Sequence, residues 1–117
     1  MGGMSRNASD CLEVRVTAGS REEADRICAA VVAERMSADA QKIWPITSTY
    51  WWDGEIRQAE EWLLLLKTTA ERFGELSLLV RDLHSYEVPQ IVAVPLAAGT
   101  DDYLGWIRRE TSLEPRA

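Results

Sequence analysis

The stretch His84-Ser85-Tyr86-Glu87-Val88-Pro89 concentrates the groups in this sequence that could do chemistry. His84 is the sole histidine, and it falls where a helix is expected to end. Two readings of it stay open. It can cap that helix by bonding a carbonyl, or it can join carboxylates such as Glu61 or Glu87 around a metal ion or an anion. Imidazole with carboxylate suits Cu(II), Zn or Ni better than Mg. A lone histidine with no cysteine or second histidine at ligand spacing cannot close a zinc site. Lys67 ends an apolar run and, by strand alternation, shares a face with Leu65, Leu63 and Glu61. It can snorkel at a sheet edge, or stand as a cation in a cleft between subunits, paired with Glu61. Cys28 reads as a small core residue on a helix face, and Cys11, ahead of the first strand, is expected at the surface. No Ser-His-Asp order, phosphate-cradling glycine loop or paired-cysteine motif is present. The chain is therefore read as a non-enzyme.

The elements that must position these residues are organised around Ser48 to Thr69. Asp53-Gly54 is a hairpin signal, because both positions of a type I′ turn need φ > 0. Tyr50, Trp51 and Trp52 lead into it, and Ile56 begins a return arm ending in Trp62 and Leu63 to Leu66. Arms reaching from Gln41 and to Thr68 would each hold about 13 residues, or roughly 43 Å at the usual strand rise. Pro45 removes a ladder donor in the first arm and predicts an edge position or a bulge. Ahead of the hairpin, Leu12, Val14 and Val16 alternate as a half-buried strand. Ser20 and Glu23 then form a capping box for a helix with Ala24, Ile27, Cys28, Val31 and Val32 on one face, ending near Met36. After the hairpin, Thr68 to Glu71 reads as a second capping box. It opens a helix that turns Phe73, Leu76, Leu79, Val80 and Leu83 inward. Ile91 to Leu96 is a short strand. Thr100 is placed to cap a last helix, whose contact face carries Tyr103, Leu104, Trp106 and Ile107.

This order predicts an α+β fold, a ferredoxin-like βαββαβ sandwich with a long central hairpin and an extra C-terminal helix. The domain is expected over residues 11–112, with a disordered leader at 1–10 and a short tail at 113–117. The arms are apolar on both sides, so one copy would expose a larger patch than a monomer usually tolerates. Oligomerisation, sheet on sheet, is the expected outcome. A net charge of −6 argues against a nucleic-acid partner, which calls for a basic patch. No run of about 18 apolar residues is present to span a bilayer. Two cysteines without a secretory signal read as free thiols, and the chain is expected in the cytoplasm.

Four ordered motifs carry a resemblance. Tyr50-Trp51-Trp52-Asp53-Gly54-Glu55-Ile56, Glu61 through Lys67-Thr68, His84-Ser85-Tyr86-Glu87-Val88-Pro89-Gln90-Ile91 and Tyr103-Leu104-Gly105-Trp106 resemble the CutA divalent-cation tolerance family. The resemblance runs from about Val14 to Thr111. It implies a ferredoxin-like fold related to PII signalling proteins and a homotrimer with hairpins wrapped around neighbours. It also implies a link to divalent cations, copper especially, and a cleft between subunits. By motif match that cleft would hold Trp52, Glu61, Lys67, Tyr86, Glu87, Tyr103 and Trp106, with His84 as the metal-facing residue. The chain departs from the family pattern at Ala18 and Asp39, where many members have Cys, and at Ser85, where Pro is common. Asp39 would thus offer a hard oxygen ligand in place of a soft thiolate. No cofactor is required on this reading, and Cu or Zn would bind weakly. A PII-like module that holds a small anionic metabolite against Lys67, walled by Trp52 and Trp106, is the alternative. A structural trimer that anchors another protein is a third.

Overall fold

The computed structural model describes residues 4–5, 8 and 10–113. In chain order its elements are β1 (Met4–Ser5), β2 (Cys11–Ala18), α1 (Arg21–Ala33), β3 (Asp39–Trp52), β4 (Glu55–Thr69), α2 (Phe73–Leu83), β5 (Ile91–Pro95), β6 (Gly99–Thr100) and α3 (Asp101–Glu110). The main sheet runs β3-β4-β2-β5 and every neighbouring pair is antiparallel. This is the ferredoxin-like arrangement expected from the βαββαβ order.

One face of the sheet is the core. Val14, Val16, Leu64 and Leu66 pack there against Ile27 and Val31 of α1 and Leu76 and Val80 of α2. Burying each such side chain contributes about 1.5–3 kcal/mol. Ser20 caps α1 by accepting the Glu23 N–H. The reciprocal half of the capping box is absent, because both Glu23 oxygens are taken by Ser85. Val32, expected on the buried stripe, is 40% exposed. The second capping box does not form either. Thr68 and Thr69 stay in β4, paired with Leu12 and Cys11, and α2 starts at Phe73 without a side-chain cap. Ladder pairing across the sheet outcompetes a local cap at this point.

The hairpin turns as its sequence predicts: Asp53 and Gly54 have φ of 51° and 76°, the left-handed pair of a type I′ turn. Its arms hold 14 and 15 residues, and the molecule is 52 Å along its longest axis. Pro45 lies on the edge strand β3, and the β3–β4 register shifts between Ile43 and Ile46. The strand β2 pairs with β4 only from Thr69 to Trp62. Beyond that β4 is paired with β3 alone, out to Trp52 and Glu55, and Trp51 is 71% and Ile56 63% exposed.

The other face of the sheet carries α3 at one end. Leu104 and Ile107 are buried there with Ala8 and Cys11. Arg108 reaches both carboxylate oxygens of Asp10 at 2.8 Å. Cys11 is therefore fully buried rather than at the surface, because α3 covers it. Both Cys11 and Cys28 are free thiols. The expected disordered leader is also corrected in part. Met4–Ser5 pairs with Gly99–Thr100, and Ala8 is buried. The rest of that leader, residues 1–3, 6–7 and 9, and residues 114–117 of the tail lie outside the described residues.

Candidate functional site

Where β2 stops at Ala18, the segment after α2 takes over the covering of β4. Three contacts hold it. Ser85 donates its N–H and its hydroxyl to the two oxygens of buried Glu23, at 2.6 and 3.2 Å. His84 Nε2 donates to the Thr17 carbonyl at 2.6 Å. The Tyr86 hydroxyl donates to Glu61 Oε2 at 2.7 Å. Tyr86 then stands over Gly19, close enough that a Cβ there would meet its oxygen at 2.9 Å. Burial, reinforced by the Glu61 carboxylate, raises the Tyr86 hydroxyl well above the ordinary phenol range. It therefore remains a proton donor to Glu61 through physiological pH.

Between this segment and the hairpin lies a cavity of about 470 Å³. Thr17, Ser48, Tyr50, Trp52, Arg57 and Glu61 line it from the sheet, and Tyr86, Glu87, Val88 and Gln90 from the segment. The hairpin register explains the sheet wall. Tyr50 pairs with Arg57, Trp52 with Glu55 and Ile46 with Glu61, so alternate residues of both arms share one face. Of the site residues named from sequence, Trp52, Glu61, Tyr86 and Glu87 meet here.

Lys67, Asp39, Tyr103 and Trp106 meet elsewhere. Lys67 is six residues along β4 from Glu61, about 20 Å at the usual rise per residue. Its ammonium is 3.5 Å from Glu13 and donates to Gln41 at 3.1 Å. The expected pairing of Lys67 with Glu61 is thus not made within one chain; distance along the strand forbids it. Lys67 is 8% exposed, so it does not snorkel into solvent. Glu13 also bonds Arg15 at 2.9 Å. Burial pushes Glu13 up, but Arg15 and Lys67 together outweigh it and hold its carboxyl below the usual range. Asp39, which pairs with Lys67 across the strands, accepts from the Tyr103 hydroxyl at 3.4 Å. Its other oxygen, Oδ1, is buried with no hydrogen-bond partner among the described residues. Tyr103 stacks on Trp106 with ring centres 5.7 Å apart; burial and the Asp39 carboxylate raise its hydroxyl. The anion site expected between Lys67, Trp52 and Trp106 is accordingly split between the two ends of β4.

His84 does not fit the metal role expected of it. A carbonyl can only accept, so Nε2 carries the proton shared with Thr17, while Nδ1 accepts the Tyr86 N–H at 3.1 Å. Both ring nitrogens are spent, and no lone pair is left for a metal. His84 is the C-cap of α2, as expected, but through its backbone N–H, which donates to the Arg81 carbonyl at 3.3 Å; the carbonyl that its ring bonds belongs to β2. Among the described residues, no group of three or more His, Cys, Asp or Glu side chains is placed to hold a metal ion. Within one chain the donor set therefore does not fit a closed Cu or Zn site, which draws on three or four convergent ligands.

Sequence reasoning missed the sheet wall of the cavity (Thr17, Ser48, Tyr50 and Arg57) and the two residues that set Tyr86, Gly19 and Glu23. The wall was legible in principle, because a two-residue turn fixes which residues of the arms share a face. Glu23 was hidden by the capping box, which assigned its carboxylate to its own helix.

A ferredoxin-like domain whose central hairpin outruns its helices, with a pocket beneath the overrun, is the class that fold and site define. Residues 12–110 match the family model of the CutA1 divalent ion tolerance protein. The chain belongs to the CutA family. It is 44% identical over 98 residues to the divalent-cation tolerance protein CutA of Thermus thermophilus, across 84% of this chain and 95% of that one. To the protein of the same name from Archaeoglobus fulgidus it is 38% identical over 94 residues, across 80% of this chain and 91% of the other. Superposed on the solved divalent cation tolerance protein Cut A1 from Thermus thermophilus, it gives a TM-score of 0.85 at 42% identity, covering 87% of this chain and 99% of that one.

Proposed function

We propose that this protein acts in the tolerance of divalent cations as a non-catalytic homotrimer whose hairpins are covered by sister copies. One observation carries the reading: the outer hairpin arms expose Trp44, Tyr50, Trp51, Trp52 and Ile56 together, in a family whose members are named for divalent-cation tolerance. Strand alternation puts Tyr50 and Trp52 on one face and Trp51 and Ile56 on the other, and large apolar side chains exposed on both faces of a hairpin mark an interaction surface. A hairpin exchanged around a cyclic assembly would lie on its neighbours' sheets. It would also bring the Glu61 end of one β4 toward the Lys67 end of another copy, forming the cleft that one chain leaves divided. Any contact with copper or zinc then belongs to the assembly rather than to His84 of a single chain. Two free, buried thiols suit a reducing compartment, and the proposal includes the cytoplasm.

The test has two arms. Light scattering on the purified protein is expected to give about 40 kDa, three times the chain's 13.2 kDa; a stable 13 kDa species would remove the assembly. Cells lacking the gene are expected to lose growth at copper or zinc levels that the parent survives, and to regain it on complementation. Equal growth of both strains would remove the tolerance role.

A further inference from the structure

We infer that the residues ahead of the family-matched stretch form a strap on α3, and that this strap decides whether Tyr103 is held against Asp39 at the Lys67 end of β4. The strap itself stands within one chain; that this end borders a cleft rests on the assembly proposed above. α3 lies apart from the main core. Its Leu104 and Ile107 are fully buried in a separate small cluster with Ala8 and Cys11. A unit with few buried apolar contacts opens on its own at lower cost than the whole domain. Something must therefore keep α3 down.

Three contacts along the helix do so, and all come from residues before position 12, where the family match begins. At the helix start, Met4–Ser5 pairs with Gly99–Thr100, which leads directly into α3. At its middle, Ala8 packs in the cluster with Leu104 and Ile107. Near its end, Asp10 accepts two bonds from Arg108 at 2.8 Å, the bidentate geometry that fixes orientation as well as charge. Asp10 is a firm post, since its carbonyl accepts the Ala70 N–H at 2.8 Å just beyond β4. Arg35 holds the last residue, Glu110, at 2.8 Å, which makes that end the pivot. α3 in turn carries Tyr103, whose hydroxyl donates to Asp39. Releasing the strap thus frees the helix that brings Tyr103 to Asp39, and uncovers Cys11.

The experiment is alkylation of the intact, assembled protein with iodoacetamide, read by mass spectrometry so that Cys11 and Cys28 are followed separately. Cys28 sits on α1 against the main core and reports general unfolding. Asp10→Ala removes the two Arg108 bonds and is expected to speed Cys11 alkylation about three- to tenfold. Ala8→Asp puts a carboxylate into the small cluster and should speed it by more than about tenfold. Cys28 should keep its wild-type rate in both. Burial and the Asp39 carboxylate raise the Tyr103 hydroxyl. In both variants its component of the absorbance titration near 295 nm, identified as the one lost in Tyr103→Phe, should therefore fall toward the ordinary phenol range. Unchanged Cys11 rates in both variants overturn the inference. So does a matching rise at Cys28, which would make these residues a support of the whole fold. A Tyr103 component that stays where wild type has it overturns it as well. Wild type scattering as a single 13.2 kDa chain would overturn the assembly and leave the strap standing.

Discussion

The Tyr86 hydroxyl occupies the space above Gly19 where any side chain would begin, 2.9 Å from the position of a Cβ. The oxygen cannot simply swing aside, because it is held by Glu61 at 2.7 Å. Gly19→Ala is therefore expected to destabilise by about 1–3 kcal/mol, the usual range for overfilling a packed site. Tyr86→Phe should cost about 1–2 kcal/mol by leaving Glu61 without its donor. The double variant should cost clearly less than the two added together, because Tyr86→Phe has already removed the oxygen that the new methyl meets. Urea melts of the four proteins measure this. Strict additivity would mean that residue 19 and Tyr86 do not touch.

His84 is a structural residue on this geometry. Its two nitrogens join the Thr17 carbonyl of β2 to the Tyr86 backbone, and its ring lies 4.6 Å from the Tyr86 ring. His84→Ala should leave copper and zinc isotherms as they are in wild type. It should instead speed amide exchange over residues 84–88, which lose two of their hydrogen bonds. Loss of a stoichiometric metal transition in the variant would return His84 to the ligands.

The hairpin tells how far the sequence could be read. Asp53-Gly54 fixed the turn, and the turn fixed which residues face each other out to Ile46 and Glu61. Past Pro45 the register slips between Ile43 and Ile46, and no local rule gives the size of a slip. Asp39 beside Lys67 was therefore not readable, although each arm's existence was. The same competition between local and non-local bonding explains Glu23, drawn from its own cap to Ser85, and Thr68, kept in the ladder. Cys11 looked exposed because burial by α3 depends on contacts between residues far apart in sequence.

The exposed end of the hairpin offers a direct test of assembly. Trp51 and Ile56 are paired neighbours across the two arms and are 71% and 63% exposed. Neither supports the core of its own chain, so Trp51→Asp with Ile56→Asp should leave the helical circular dichroism intact. In a trimer the same change buries two charges against apolar surface. Light scattering is expected to fall from about 40 kDa toward the 13.2 kDa chain. An unchanged mass would mean that the hairpin tip lies outside any interface.

Lys67 should be among the costliest charges to remove. It is 8% exposed and holds Glu13 at 3.5 Å. Lys67→Met is expected to cost about 2–4 kcal/mol, mostly from a carboxylate left poorly paired. Glu13 sits below its usual range despite burial, because Arg15 and Lys67 outweigh that burial. Its contribution is then present above the unfolded carboxyl value of about 4.3 and is lost as pH falls through the lower folded value. Without Lys67 the folded value rises, so the difference in stability between variant and wild type should shrink from pH 7 to pH 3. A difference that stays constant with pH would place the loss in packing alone.

The alkaline side belongs to Tyr86. Burial, and then the bond to Glu61, raises its hydroxyl above the ordinary phenol value, so the folded protein keeps the proton longer than the unfolded chain does. A raised value contributes stability that is complete below the unfolded value of about 10 and disappears as pH climbs through the folded one. Ionisation would set a phenolate against Glu61, with Glu23 and Tyr50 adding to the penalty. Wild type is therefore expected to lose its advantage over Tyr86→Phe between pH 9 and strongly alkaline solution, followed by urea midpoints, and absorbance near 295 nm should lose a late-titrating component in the variant. Tyr103 and both cysteines are raised as well, but they are common to both proteins and cancel in the comparison. If the two curves ran parallel over that range, the Tyr86 proton would not be shared with Glu61.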